Sequence, residues 1–139
     1  MNPILRNILA VIAGAISGGI LNMALVVIGP NLIPPPDGAD MTTMEGLAAS
    51  MHLFEPQHFL FPFLAHALGT LLGATITARV AASHQKWLAL LIGGFFFIGG
   101  SMNVAMLPSP MWFNVLDLVV AYIPMAWLGW KIGMPKTSV

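Results

Sequence analysis

The chain of 139 residues contains no cysteine, and only ten of its side chains carry a formal charge. Without cysteine there can be no disulfide framework, no thiolate metal site and no cysteine nucleophile. Charged residues make up 7% of the chain, whereas an average soluble domain has about 25%. A soluble domain of this size needs polar surface on almost every side. This scarcity of charge therefore excludes a soluble globular enzyme and a disordered tail. The net charge of zero also excludes nucleic-acid binding, which needs a positive surface.

Hydrophobic residues make up 58% of the chain instead. They fall into four apolar runs, and each is long enough to cross a membrane as a helix, which takes about 20 residues. The runs cover residues 4–29, 58–78, 87–107 and 110–132. Helices satisfy their backbone groups internally, as a bilayer requires. The sequence therefore predicts an all-α integral membrane protein, a bundle of four transmembrane helices forming one domain over residues 1–139.

The distribution of charge predicts how the bundle is oriented. Every basic residue lies near the start of the first span, between the second and third spans, or at and beyond the end of the fourth span: Arg6, Arg79, Lys86, Lys131 and Lys136. With four spans, these three places lie on the same side. The segment 30–57 on the opposite side has no Lys or Arg and carries Asp37, Asp40, Glu45 and Glu55. The positive-inside rule then predicts that both termini are cytoplasmic and that the membrane is a plasma (inner) membrane.

The outer segment 30–57 is too long for a simple connection. Thr42 and Glu45 have the spacing of a capping box, which predicts a helix start. Apolar residues follow at helical spacing on one face: Met44, Leu47, Ala48 and Met51. We therefore expect a short amphipathic helix, about 43–54, at the membrane surface. It acts either as a lid over the end of the bundle or as a gate over a site.

Two of the spans share a short pattern. Residues 18–25 and 99–106 both read Gly-Gly-x-x-Asn-x-Ala-x. The match suggests two parallel helical-hairpin repeats of the kind found in some transporters. Small residues also recur every four positions, which favours close helix packing. These rows contain Ala10, Gly14 and Gly18 in the first span, and Ala65, Gly69, Gly73 and Thr77 in the second.

Each of the four spans contains a strongly polar side chain. Asn22, His66, Asn103 and Asp117 lie about 6–12 Å from the outer ends of their helices, at 1.5 Å per residue. Such side chains are costly in hydrocarbon and usually face the bundle interior. We therefore expect the four to meet in one cluster that binds a ligand or partner, with interhelical hydrogen bonding as the alternative. Tyr122 is a further candidate, although it lies about 140° from Asp117 around the helix, so both cannot point at one centre.

The sequence signal for a metal site is weaker than the signal for the polar cluster. His52, Glu55 and His58 place three potential ligands within seven residues, but Pro56 interrupts any helix that would align them. Met102-x-x-x-Met106 resembles the Met-x-x-x-Met signature in the second span of the trimeric copper importers. That resemblance implies Cu(I) binding, because thioethers suit this ion. The sequence identifies no cofactor.

Three classes of function are compatible with these features. The first is a binding or accessory subunit of a membrane complex that uses the polar cluster. The second is an oligomeric transporter or channel for a small solute, an ion or a metal such as copper. The third is a membrane enzyme with His66 and Asp117 as acid and base. A relay across the membrane needs polar groups along its whole path. Between the cluster and the basic residues at the inner rim there is no ionisable residue, so the first class is favoured. The expected partners are the lipid bilayer and other membrane subunits or further copies of the chain.

Overall fold

The computed structural model describes residues 1–134, and this part of the chain is helical without a strand. Four helical stretches are long and apolar enough to cross a membrane. They are Pro3–Leu32, Pro56–Val80, Gln85–Met106 and Met111–Gly133. The prediction of four apolar helices is therefore confirmed. The α-helices are α1 (Pro3–Leu32), α2 (Met44–Ser50), α3 (Leu60–Val80), α4 (Gln85–Met106), α5 (Met111–Val120) and α6 (Ile123–Gly133), with 3₁₀ turns at Met51–Leu53 and Pro56–Phe59.

Helix α3 is the centre of the bundle, because α1, α4 and α6 all pack against it. Its buried residues are small: Ala65, Ala67, Gly69, Thr70, Gly73, Ala74, Thr77 and Ala78. Small side chains let helix backbones approach each other closely, which is how helices associate in a bilayer.

The interface between α1 and α3 uses both predicted rows of small residues. A Cβ added at Gly14 would overlap the Gly73 carbonyl, and a Cβ added at Gly18 would crowd the Gly69 carbonyl. The Thr77 hydroxyl donates to the Ala10 carbonyl at 3.2 Å. These rows are therefore packing surfaces, as predicted. Helix α6 docks on another part of α3 in the same way, through Ala126, Gly129 and Gly133.

Basic residues gather at one end of the bundle. Arg6 Nε donates to the Val80 carbonyl at 2.7 Å, while Lys86 and Lys131 lie over the Trp130 ring at 5.4 and 4.6 Å. We call this the basic end, and the opposite end, which carries the acidic segment, the loop end. Lys136 lies outside the described residues. Which end faces the cytoplasm stays a prediction, as does the internal repeat.

Helix α1 continues beyond the predicted end of the first span at residue 29. It passes through Pro30 and ends at Leu32. Proline cannot donate a hydrogen bond to the preceding turn, but the helix resumes its bonding at Ile33, whose N–H donates to the Gly29 carbonyl at 2.8 Å. The Asn31 amide also donates to the Val27 carbonyl. The loop that follows is therefore shorter than expected.

The short helix in the loop starts one residue later than the capping-box spacing predicted. Thr43 is the N-cap, and its hydroxyl accepts from the Gly46 N–H at 2.9 Å. Thr42 is held outside the helix, because its N–H and hydroxyl both donate to the Asp40 carboxylate. Helix α2 itself ends at Ser50, and the 3₁₀ turn Met51–Leu53 completes the predicted segment.

The orientation can be tested with single cysteines, because the natural chain has none. We expect Ala39→Cys in the loop to react with an impermeant thiol reagent added to intact cells. Ala82→Cys, an exposed position at the basic end, is the matched control and should react only after lysis. The reverse pattern would show that the loop end is cytoplasmic.

Two adjacent glycines test the packing of α1. Gly18→Leu should lower the free energy of unfolding by about 3 kcal/mol, the upper part of the range for overpacked cores, because its side chain would meet the Gly69 carbonyl and the Phe96 ring. Gly19→Leu should have little effect, since nothing lies within 4 Å of a Cβ at Gly19. Thermal denaturation in mild detergent measures both. Equal midpoints for the two variants would contradict the α1–α3 interface.

Candidate functional site

The fourth span is broken next to its polar residues. Helix α5 ends at Val120, a turn covers Ala121 and Tyr122, and α6 begins at Ile123. Pro124 is then in the first turn of α6, where its missing N–H is tolerated. Tyr122 adopts φ −116° and ψ −78°, whereas Ala121 before it is still helical and its N–H donates to the Asp117 carbonyl at 2.9 Å, so the break lies at Tyr122 itself. The expectation that Tyr122 and Asp117 cannot point at one centre is wrong, because the two side chains are hydrogen-bonded.

Three polar side chains meet next to this break. His66 Nδ1 lies 2.9 and 3.0 Å from the two Asp117 carboxylate oxygens. The Tyr122 hydroxyl donates to Asp117 Oδ2 at 2.9 Å. The Asp117 side chain is 3% exposed and that of His66 is 16% exposed. We call these three residues the polar cluster.

Aromatic packing and one glycine hold Tyr122 in this position. Its ring lies 5.7 Å from the His66 ring and 5.9 Å from the Phe97 ring, between centroids. Gly100 of α4 faces the hydroxyl end of Tyr122, and a Cβ at Gly100 would overlap that hydroxyl. The Gly-Gly pattern in the third span therefore has a packing role at this position.

The hydrogen bonds of Asp117 determine what His66 can do. A carboxylate accepts, so Nδ1 of His66 carries a proton and donates it. This fixes the ring orientation and leaves Nε2 for another partner, because the described residues provide no hydrogen bond to it. A histidine oriented in this way by a carboxylate can bind a polar ligand group, serve as a base or coordinate a metal.

His66 and Asp117 line a cavity of about 270 Å³ at the loop end, which we call the chamber. Its other polar lining residues include Asn103, Asn114, Ser109 and His58, and most of the remaining wall is apolar. The wall comes from the loop-end parts of α1, α3 and α4, from α5 and from the loop itself. The loop contributes Met41, Met44, Leu47, Met51 and Phe54.

The loop is anchored over the chamber by apolar and polar contacts. Met51 packs in a buried cluster with Phe59 and Phe113, whose rings are 4.7 Å apart. The buried Ser50 hydroxyl accepts from the Asp40 N–H at 2.9 Å. Hydrogen bonds from the side chain and backbone of Thr42 lower the pKa of Asp40 below its ordinary value. The loop therefore covers the chamber, and a gate at this position stays a prediction.

The four residues expected to form one cluster are only partly brought together. His66 and Asp117 bond directly, and Asn103 lines the same chamber. Asn22 packs instead against Gly69, where a Cβ would lie 3.0 Å from the Asn22 Cβ, and it is not part of the chamber wall. Tyr122 is bonded within the cluster but is almost fully buried. Binding of a ligand or partner by these residues stays a prediction.

The candidate metal ligands are scattered. Within residues 1–134, no group of three or more His, Asp or Glu side chains is placed to hold a metal. His52 Nδ1 bonds the Ala49 carbonyl, and His58 Nδ1 accepts from the Glu55 N–H. Met102 and Met106 are 58% and 53% exposed on α4 and do not line the chamber.

Asn114 is a site residue that the sequence did not reveal. Its Nδ2 donates to the Ser109 carbonyl at 3.2 Å, while its Oδ1 is buried without a hydrogen-bond partner among the described residues. The sequence feature that could have identified Asn114 is its position three residues before Asp117, which places both on the same face of a helix. The Thr70 hydroxyl is also buried without a partner, but Thr70 does not line the chamber.

Comparison with known proteins gives no match: no family model, curated protein or solved structure is significantly similar to the chain. Any functional assignment therefore depends on the geometry of the site.

The hydrogen bond from Tyr122 to Asp117 should contribute measurably to stability. We expect Tyr122→Phe to lower the free energy of unfolding by about 2 kcal/mol, because hydrogen bonds to charged groups are worth about 1.5–3 kcal/mol. Gly100→Ala should also destabilise the fold, since its methyl group would displace the Tyr122 hydroxyl.

Gly99→Ala is the matched control, because a Cβ at Gly99 has open space around it. Thermal unfolding in detergent compares the three variants. A Tyr122→Phe protein as stable as the wild type would mean that Asp117 does not depend on this donor.

Proposed function

We propose that this protein is a small integral membrane protein that binds a small and mainly apolar ligand in the chamber. It acts alone or as an accessory subunit of a membrane complex. The observation that carries the proposal is the combination of an apolar wall with one polar patch around His66. Ligand sites in proteins commonly have this composition, with a few polar groups that fix the orientation of the ligand.

The size of the chamber limits the ligand. Its volume of about 270 Å³ is near the lower end of the range for ligand pockets, about 300–1,000 Å³. A ring or a short chain fits such a space, whereas a whole phospholipid does not. We therefore propose that the chamber takes either a small molecule or the head of a larger one.

The bilayer is the surrounding partner that we propose for the helices. Many large apolar side chains of α1 and α4 are exposed, including Ile16, Ile20, Phe95 and Ile98, as expected for helices in lipid. We further propose that both termini are cytoplasmic, so that the chamber opens near the outer face of the membrane. Contact with another membrane subunit or with a second copy is part of the same proposal.

A transporter or channel is the less supported alternative. Toward the basic end, the buried polar side chains are Thr70 and Thr77, and Thr77 is already bonded to α1. A path for an ion would need polar groups or water along the whole membrane. The polar cluster lies at one side of the bundle, which suits a binding site better than a relay.

Filling the chamber tests the proposal. Val104 lines the chamber, whereas its neighbour Ala105 is exposed. We expect wild-type protein extracted from its own membrane in mild detergent to carry a small molecule at close to one per chain. Val104→Trp should lose it, because the indole would occupy the chamber, and Ala105→Trp should retain it.

Mass spectrometry of small molecules released from the three purified proteins measures this. Leu47→Trp, in the loop part of the wall, is a second filling variant in case Val104→Trp is unstable. If the wild type carries no small molecule, or if the filling variants retain it, the binding function is wrong.

A further inference from the structure

The basic end of the bundle carries cations without matching carboxylates. All five Asp and Glu side chains of the chain lie elsewhere: four in the segment 30–57, and Asp117 in the polar cluster. Within residues 1–134 the ion pair between His66 and Asp117 is the only one, and it lies at the loop end. No Asp or Glu of this chain therefore neutralises the basic end, which leaves its cations available to an external anion.

Two of these cations share one aromatic ring. The Lys86 ammonium lies 5.4 Å from the centre of the Trp130 ring, and the Lys131 ammonium lies 4.6 Å from it. The two ammonium groups are therefore no farther apart than the sum of these distances, about 10 Å. We call Lys86 and Lys131 the lysine pair. It bridges α4 and α6, which pack against each other.

The ring between the two lysines is anchored in the bundle. Trp130 packs against a buried cluster that includes Ala74 of α3, Ala89 of α4 and Ala126 of α6. Both lysines are exposed, and an aromatic face attracts the charge of an ammonium without supplying an oxygen acceptor. The N–H donors of each ammonium therefore remain available to phosphate oxygens.

The surroundings of the lysine pair favour a lipid over a free anion. Trp87, Trp127 and Ile132 are 67%, 47% and 53% exposed beside it. On membrane helices, exposed tryptophans lie at the level of the lipid headgroups, and lysine side chains extend to the same level. A phospholipid offers a phosphate to the lysines and apolar chains to the other side chains, whereas a free phosphate ion uses only the lysines.

We propose that Lys86 and Lys131, positioned by Trp130 between α4 and α6, bind the headgroup of an anionic phospholipid. The ammonium groups donate to its phosphate oxygens, and its acyl chains lie along the exposed apolar side chains of α4 and α6. Basic sites between membrane helices are a recognised way of binding anionic headgroups. This site lies at the opposite end of the bundle from the chamber, so it does not depend on the binding function proposed above.

Two phospholipids with identical acyl chains test this inference: palmitoyl-oleoyl phosphatidylglycerol, which is anionic, and palmitoyl-oleoyl phosphatidylcholine, which is zwitterionic. Native mass spectrometry of the protein in mild detergent measures the affinity for each. We expect wild-type protein to bind phosphatidylglycerol about tenfold more tightly, because each lysine near an anionic headgroup contributes a favourable charge interaction.

Variants of exposed side chains separate a site from the general charge of the basic end. Lys131→Gln should reduce the preference to about threefold, and Lys86→Gln combined with Lys131→Gln to about twofold or less. Arg79→Gln is the matched control and should keep the preference. It removes the same charge from the same end, but within the described part of the chain only the two lysines lie over aromatic rings.

Replacing both lysines by arginine should keep the preference, because arginine retains the charge and also stacks on aromatic rings. Inorganic phosphate in excess should not displace phosphatidylglycerol from the wild type. The inference is wrong if the wild type binds both lipids equally or if the double glutamine variant keeps the preference. Equal losses in Arg79→Gln and Lys131→Gln would show attraction by the whole basic end instead of a site, and displacement by phosphate would show a site for a free anion.

Discussion

The Asp117 carboxylate is buried in a bundle that offers very few polar partners, and the arrangement of the loop end depends on satisfying it. An unpaired carboxylate in hydrocarbon would be prohibitively costly. His66 reaches it from α3, and Tyr122 reaches it from the turn that follows α5. Gly100 leaves room for the Tyr122 hydroxyl in this position. The bond from Nδ1 to Asp117 leaves His66 Nε2 without a partner among the described residues.

The chamber follows from a change of side-chain size along α3. In the half toward the basic end, this helix presents Gly69, Gly73 and Thr77 to α1, and the two backbones are nearly in contact. At the loop end the lining residues of α3 are Phe61, Pro62 and His66. Gly29 of α1 lies directly against Phe61 there, and residues of the loop between α1 and α3 cover the remaining space. The tight half of the bundle positions the elements that surround the open half.

Most of the helical architecture could be predicted from the sequence, because span length and small-residue spacing are local properties. Continuous apolar runs have one solution in a bilayer, and the glycine rows identified the α1–α3 interface. The pairing of His66 with Asp117 was also predictable, since both are costly in hydrocarbon and lie at similar depth. The separation of Asn22 from the cluster was not predicted, although Asn22 follows Gly18 by four residues and so lies on the row that packs against α3. Tyr122 was misjudged because the angle around the helix axis does not determine where the hydroxyl of a long side chain lies, and that hydroxyl reaches Asp117.

The same contacts distinguish a binding site from a conduction path. Asp117 has both of its oxygens engaged, Tyr122 donates to it and His66 is held by it, so the cluster has one atom left over, and that atom lies at the chamber. A relay would need a second polar neighbour on the opposite side of the cluster, toward the basic end. Ala67 and Ala121 pack against Tyr122 within the apolar cluster there, and Thr70 is buried among the helices. The polar groups of this bundle are therefore directed to the loop end, where most of the remaining chamber wall is apolar.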